Sequence, residues 1–246
     1  MTTENQTVIV SIDNCSTILA FYVENLYLNG VSLMSKQTDY AYEYVKQRIL
    51  DGTFYPSQKL IESDLSETIK VSRNTLKKAF LKLEQENLVK IEKNKGATIK
   101  SFSLDEIMNY LEVREVIEGL VARTAVRNVS DSNLAALEKT LENMQEHIQT
   151  KHFDEYSNCN KAFHDIIYNA SKNVQAVEMI KGIKTQLQRV HFKTILVPGR
   201  TEESLREHTQ ILEAFKKRDE QRAEEAVKFH ISQIRNTIKT NYLYLV

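Results

Sequence analysis

Apolar positions recur every three to four residues over most of the chain, a rhythm that predicts a succession of amphipathic helices. The first carries Ala41, Tyr44, Val45 and Ile49 and stops where Asp51, Gly52 and Pro56 interrupt it. A short second helix is expected over Asp64 to Ile69. After a turn at Lys70 and Val71, Ser72 is a suitable N-cap for a third, with Leu76, Ala79, Phe80 and Leu83 on one stripe. The rhythm then changes: Val89 to Ile91 and Ala97 to Ile99 read as two short strands around Lys93, Asn94, Lys95 and Gly96. Beyond residue 100 it is helical again. Ser103-Leu-Asp-Glu106 has the form of a capping box opening a helix with Leu104, Ile107, Leu111, Leu120 and Val121. Further helices are expected at about 131–149, 153–170, 173–195, 202–217 and 219–242, and six helices with short connections predict an antiparallel bundle.

Helix, helix, turn, helix, hairpin is the order of a winged helix-turn-helix. The expected fold is therefore mainly α: an N-terminal winged helix-turn-helix followed by a C-terminal all-α antiparallel bundle. The division expected is 1–37 as an N-terminal extension without an assigned role, 38–100 as the winged helix and 101–246 as the bundle. Only two prolines and six glycines occur among 246 residues, so little interrupts helix formation. A composition of 41% hydrophobic and 27% charged residues is that of an ordinary globular protein. Cys15 and Cys159 have no metal-type spacing and fit a reducing cytosol. The apolar stretch from Val8 to Met34 is broken by Asp13, Glu24, Asn25 and Asn29, and no basic residue precedes Lys36. Neither a signal peptide nor a membrane span is expected, which places the protein in the cytoplasm.

The net charge of zero conceals a division along the chain. Residues 70–100 carry nine basic and three acidic side chains, whereas residues 1–69 carry four and nine. The concentrated positive charge points to a polyanion, and its place on the third helix and hairpin points to double-stranded DNA. In a winged helix the start of the third helix enters the major groove, where Arg forks onto guanine and Asn onto adenine. Ser72, Arg73, Asn74, Thr75 and Lys77 are the residues expected there, with Lys95 and Gly96 at the wing. A purely solvated helix face accounts for Lys77, Lys78 and Lys82 but not for the basic hairpin that follows.

Four of the six histidines fall on inward stripes of the expected bundle. His164 follows Tyr156, Asn160 and Phe163; His191 follows Leu187 and Val190; His208 lies between Leu205 and Leu212; His230 lies between Val227 and Ile234. A lone histidine on an apolar face is usually a satisfied core residue. Imidazoles brought together from several helices are ligands for zinc, nickel and similar ions, although sequence alone does not reveal convergence.

The run Ile49 to Pro56, with Leu60, Asp64-Leu65, Val71-Ser72-Arg73, Leu83-Glu84, Leu88-Val89 and Lys95-Gly96-Ala97, resembles the DNA-binding domain of the GntR family of bacterial transcription factors. Arg114, Glu118, Phe163-His164, Asn173, Gly199-Arg200, Ser204-Leu205, Glu207-His208, Ile211-Leu212, Asp219, Ala226 and His230 resemble the FCD effector domain of its FadR-like branch. The resemblance implies a ligand-responsive regulator that binds a palindromic operator as a homodimer. It also implies a divalent metal, zinc or nickel, at Asn160, His164, His208 and His230. Asn160 stands where the family has aspartate, which weakens the ligand set. Thr75 and Lys77 stand where the family usually has proline and arginine, and loss of the guanidinium fork changes the expected base preference. Effectors in the family are commonly small organic acids, and Arg114 and His191 are the residues expected to meet one. For Arg114 the alternative is a salt bridge to Glu118 one turn later.

Two other functions fit the histidines. The metal itself can be the signal, or a metal-bound hydroxide can make the protein a hydrolase. The second is disfavoured because no His-Glu-x-x-His spacing or oxyanion motif occurs, so a non-enzymatic regulator is expected.

Overall fold

The structure, a computed structural model, describes residues 33–92 and 96–245, without the side chains of residues 33–35 and 189–192. Within the described residues the order is α1 (Leu33–Leu50), β1 (Lys59–Leu60), α2 (Glu62–Thr68), α3 (Arg73–Gln85), β2 (Val89–Glu92) and β3 (Gly96–Ile99). These are followed by α4 (Leu104–Val126), α5 (Asp131–Thr150), α6 (Phe153–Ser171), α7 (Val174–Thr194), α8 (Arg200–Lys216) and α9 (Glu220–Leu245). The expected mainly helical fold is observed, with the winged helix first and the bundle after it. None of the described helices is long and apolar enough to cross a membrane.

Local chemistry accounts for several of the helix ends. Ser72 accepts a hydrogen bond from the Thr75 backbone N–H at 3.0 Å and so caps α3. Ser103 and Glu106 form the reciprocal capping box of α4, and Ser130 and Asn133 form another at α5. Lys151 and Lys172 take left-handed conformations after α5 and α6 and end them. Gly199 has a φ of 80° and lies directly before α8.

Two differences from the sequence expectations concern the winged helix. Helix α1 starts at Leu33, upstream of its apolar stripe, because its first two turns are mostly polar and carry no periodic signal. The boundary placed between residues 37 and 38 therefore falls inside a helix. The sheet has a third strand, β1, and its order is β1-β3-β2, antiparallel throughout, with Leu60 opposite Ala97 and Ile91 opposite Ala97 from the other side. Two residues are too few to show alternation, so β1 exists only through its pairing.

Buried side chains form two hydrophobic clusters. One joins Ala41, Val45 and Ile49 of α1 to Leu76, Phe80 and Leu83 of α3, with Leu60, Val89, Ala97 and Ile99 closing it from the sheet. The other joins Ile107, Leu111 and Val121 of α4 to Phe163, Ile180, Leu187, Phe215, Val227 and Ile234. The largest packing surface within the bundle is that of α4 against α9. Gly119 belongs to it, since a Cβ there would lie 2.7 Å from the Lys228 side chain.

Phe80 is completely enclosed in the first cluster, and Phe80→Ala is expected to destabilise that unit by about 3–5 kcal/mol. Urea unfolding should show an earlier first transition with the later, bundle transition unmoved. A single transition displaced as a whole would mean that the two clusters unfold as one cooperative unit.

Candidate metal centre and DNA-facing surface

Three helices bring His164 (α6), His208 (α8) and His230 (α9) together, and one ring nitrogen from each lies within 4.8 Å of the other two. All three side chains are buried. Each histidine is on the inward stripe of its own helix, and antiparallel packing makes the stripes meet.

The outer ring nitrogens fix which tautomers face inward. His208 Nδ1 lies 2.6 Å from the Ser204 carbonyl oxygen, which can only accept, so Nδ1 carries the hydrogen and Nε2 presents its lone pair. His230 Nδ1 donates to Glu207 Oε2 at 2.7 Å, which leaves a buried Nε2 with no hydrogen-bond partner. His164 Nδ1 faces Glu118 Oε2 at 3.8 Å, while its Nε2 is 3.2 Å from His208 Nε2. Carboxylate or carbonyl partners behind each imidazole are the usual means of orienting histidine ligands. Glu207 is held in turn by Arg200, whose two terminal nitrogens fork onto its oxygens at 2.9 and 2.8 Å. Burial raises the Glu207 carboxyl above its ordinary range despite that fork.

Asn160, one turn before His164 on α6, has a buried Oδ1 without a hydrogen-bond partner. Asn160 and His230 line the same cavity, and an amide oxygen and an imidazole nitrogen that lack hydrogen-bond partners are donors a cation would satisfy. The donors fit a borderline divalent ion such as zinc or nickel. Burial lowers the pKa of His208 and of His230 to about 3, and holds that of His164 well below its usual value, so all three are neutral and ready to ligate near pH 7.

A cavity of about 850 Å³ adjoins this cluster. Arg114, Asn160, Tyr168, Lys184, Arg200 and His230 are among its lining residues. Its wall also includes Leu50, Asp51 and Gly52 at the end of α1, so the winged helix contributes directly to it. Arg114 is buried and its Nε donates to Glu118 Oε1, as the alternative reading of that residue has it, while its Nη2 remains without a partner. Burial opposes the charge on Glu118, but Arg114 and Lys184 together keep its pKa below the ordinary carboxylate value. His191 lies in α7, with its side chain outside the described residues.

On the winged helix, Ser72, Arg73, Asn74 and Lys77 are exposed at the start of α3. Thr75 is turned inward instead: it is 4% exposed, and its hydroxyl lies 2.8 Å from Ser72 Oγ, so it forms part of the cap. Lys77 Nζ is 3.8 Å from Glu62 Oε2 at the surface. Gly96 opens β3 with a φ of 85°, and a Cβ there would come within 3.3 Å of the Leu60 carbonyl oxygen. Its place at the wing is thus already required by the chain's own backbone. Lys95 lies outside the described residues.

Sequence reasoning named the histidines and Arg114 but missed what surrounds them. Ser204, Arg200 and Glu207 were legible only as parts of a family resemblance, and Lys184 and Tyr168 gave no signal, because a lysine and a tyrosine in a polar stretch of helix do not announce a place on a cavity wall.

A winged helix joined to a helical bundle with a histidine-lined cavity is the architecture of a transcriptional regulator. Residues 37–99 match the bacterial regulatory proteins of the gntR family, and residues 109–233 match the FCD domain. The chain belongs to the GntR family of transcriptional regulators that carry an FCD domain. It is 26% identical over 198 residues to the HTH-type transcriptional repressor RspR of Escherichia coli K12, covering 80% of this chain and 87% of that protein. It is 28% identical over 195 residues to the HTH-type transcriptional regulator YdhC of Bacillus subtilis 168, covering 78% and 86%. The solved structure of E. coli McbR/YncC has the same fold, with a TM-score of 0.69 at 21% identity over 86% of this chain and 99% of that one.

The histidine burial has a consequence for acid stability. Unfolded histidine has a pKa of about 6.5, so as pH falls the unfolded chain takes up protons before His208 and His230 do in the folded state, near 3. Metal-free protein should keep the full contribution above about pH 6.5 and lose roughly 1.4 kcal/mol per pH unit for each of these histidines below it. Urea titrations of chelated protein at pH 7.5, 6 and 5 check this; His208→Gln with His230→Gln should flatten the slope.

Proposed function

We propose that this chain is a homodimeric transcription factor whose affinity for a palindromic DNA operator is controlled by a small carboxylate effector bound beside a divalent metal. The observation that carries this reading is the convergence of His164, His208 and His230 beside a cavity whose wall continues into Leu50–Gly52 of the winged helix. The GntR and FCD matches, and relatives named as HTH-type regulators, support it.

In this reading residues 38–100 bind DNA and residues 101–246 bind effector and pair the subunits. Arg73 and Asn74 meet base edges in the major groove, while Ser72, Lys77, Lys95 and the backbone around Gly96 hold phosphates and the wing. Thr75 acts indirectly by keeping the Ser72 cap in place. A two-fold dimer offers two such helices to two half-sites. Asn160, His164, His208 and His230 hold the ion, which supplies a positive centre for a carboxylate, and Arg114 and His191 face the effector. Acting on chromosomal DNA, the protein works in the cytoplasm.

Regulation requires the effector to bind the DNA-competent and incompetent forms unequally. Asn87, directly after the recognition helix, is placed to convey that difference. Its amide nitrogen lies 3.0 Å from Tyr110 Oη on α4 and 3.2 Å from Gln186 Oε1 on α7, and its oxygen accepts from Lys100. Helix α7 also supplies Lys184, Thr185 and Gln188 to the cavity. A displacement of α7 therefore reaches the end of α3 through one side chain.

The chemistry around the histidines favours regulation over catalysis. Glu118 and Glu207, the carboxylates behind the imidazoles, are each engaged by an arginine, which leaves neither free as a general base for a hydrolase. The reading in which metal alone is the signal is separated by comparing operator affinity of chelated and metal-loaded protein without organic acid: a large difference would favour it.

Fluorescence anisotropy with duplexes from the protein's own promoter tests DNA recognition. Arg73→Ala should weaken specific binding by about 1–3 kcal/mol with the bundle intact, and unchanged affinity would remove Arg73 from the interface. His208→Ala with His230→Ala should abolish bound metal in elemental analysis, and equal metal in both proteins would defeat the proposed ligand set. Asn87→Asp keeps a residue that tolerates the left-handed backbone but removes both donors. It should retain operator affinity and lose about 0.5–2 kcal/mol of effector coupling, read as the ratio of operator affinities with and without the carboxylate.

A further inference from the structure

The cavity holds more positive charge than the metal reading requires. Lys184 projects into it from α7, close enough to Arg114, Glu118, Asp165 and Lys161 to feel the charge of each. Its Nζ reaches Tyr168 Oη at 3.4 Å and forms no ion pair among the described residues. Arg114 is 1% exposed; Glu118 takes up its Nε, and its Nη2 has no partner. Tyr168, four residues after His164 on α6, stands beside both, and its ring is 6.0 Å from that of His164.

Direct ion pairs do not account for Lys184, which feels Glu118 and Asp165 without contacting either. Arg200 is matched by Glu207 and Arg114 by Glu118, each within a direct ion pair. Lys184 is left without such a carboxylate, and three neutral imidazoles leave a divalent ion's charge whole. Lys184 is half-buried, and its ammonium meets only Tyr168 among the contacts described, the hydroxyl at 3.4 Å and the ring centroid at 5.0 Å, so an anion entering the cavity would meet a cation partly withdrawn from water. Burial lowers Lys184 to a pKa of about 8, which leaves most of it protonated at pH 7.

We infer that the effector of this chain is an organic dianion, a short dicarboxylate. One carboxylate goes to the metal end, and the second is held by Lys184 Nζ, Arg114 Nη2 and Tyr168 Oη. This rests on the proposed metal-assisted carboxylate reading and narrows it from organic acids at large to those with two acidic groups. Lys184 is the residue that selects them. A monocarboxylate of equal length satisfies the metal but leaves Lys184 unmet.

The test compares succinate with butyrate, which share a four-carbon chain and differ by one carboxylate, by calorimetric titration into zinc-loaded full-length protein. Succinate should bind at least about tenfold more tightly, the scale of one charge-assisted contact. Lys184→Met should bring the two within about threefold of each other with butyrate affinity and zinc content unchanged, and Lys184→Arg should restore the preference. Equal binding of the two acids by the parent protein would overturn the inference while leaving the carboxylate reading standing, as would a Lys184→Met protein that keeps the preference. Zinc uptake without binding of either acid would overturn both. Absence of zinc uptake would remove the metal reading, and an undiminished succinate preference in that metal-free protein would still uphold the role of Lys184.

Discussion

Three imidazole nitrogens directed at one another inside a protein cannot all be satisfied by protein alone. His208 and His230 each commit Nδ1–H to an acceptor behind them, so the lone pairs on Nε2 must face inward. A mutual hydrogen bond between His164 and His208 can relieve one pair, and His230 Nε2 still remains without a partner. Much else in the bundle serves this arrangement. Arg200 stabilises Glu207 so that Glu207 can orient His230, and Arg114 pairs with Glu118, whose other oxygen lies 3.8 Å from His164 Nδ1. Buried polar networks of this kind are favourable only when every member is engaged, which is why the orphaned atoms at the centre carry information about function.

The cavity beside the histidines extends to the winged helix. The cavity wall passes from Arg114 and Lys184 to the turn at Leu50–Gly52, and Asn87 joins the end of α3 to α4 and α7 by hydrogen bonds. One space therefore touches both units.

The DNA-facing surface follows a different logic. Ser72 and Thr75 spend their hydroxyls on each other and on the first turn of α3, which frees Arg73 and Asn74 to project. Gly96 is held in a conformation that side chains disfavour by the approach of the Leu60 carbonyl. Both features are set by contacts internal to the winged helix.

By itself the sequence determined the helices, their inward faces, the Ser72 and Ser103 caps, and the concentration of basic charge over residues 70–100. These are local properties, set by the 3.6-residue period, by side-chain oxygens near orphan N–H groups and by counting charge. It also placed His164, His208 and His230 on buried stripes, and the family resemblance named them as a set. Only the tertiary structure decided that those stripes meet, because periodicity gives the direction in which a side chain points but not which other helix it will face. For the same reason β1, the inward turn of Thr75 and the place of Lys184 on the cavity wall appear only once the chain is folded. Each depends on residues distant in sequence, and a contact between distant residues leaves no mark on the spacing of either.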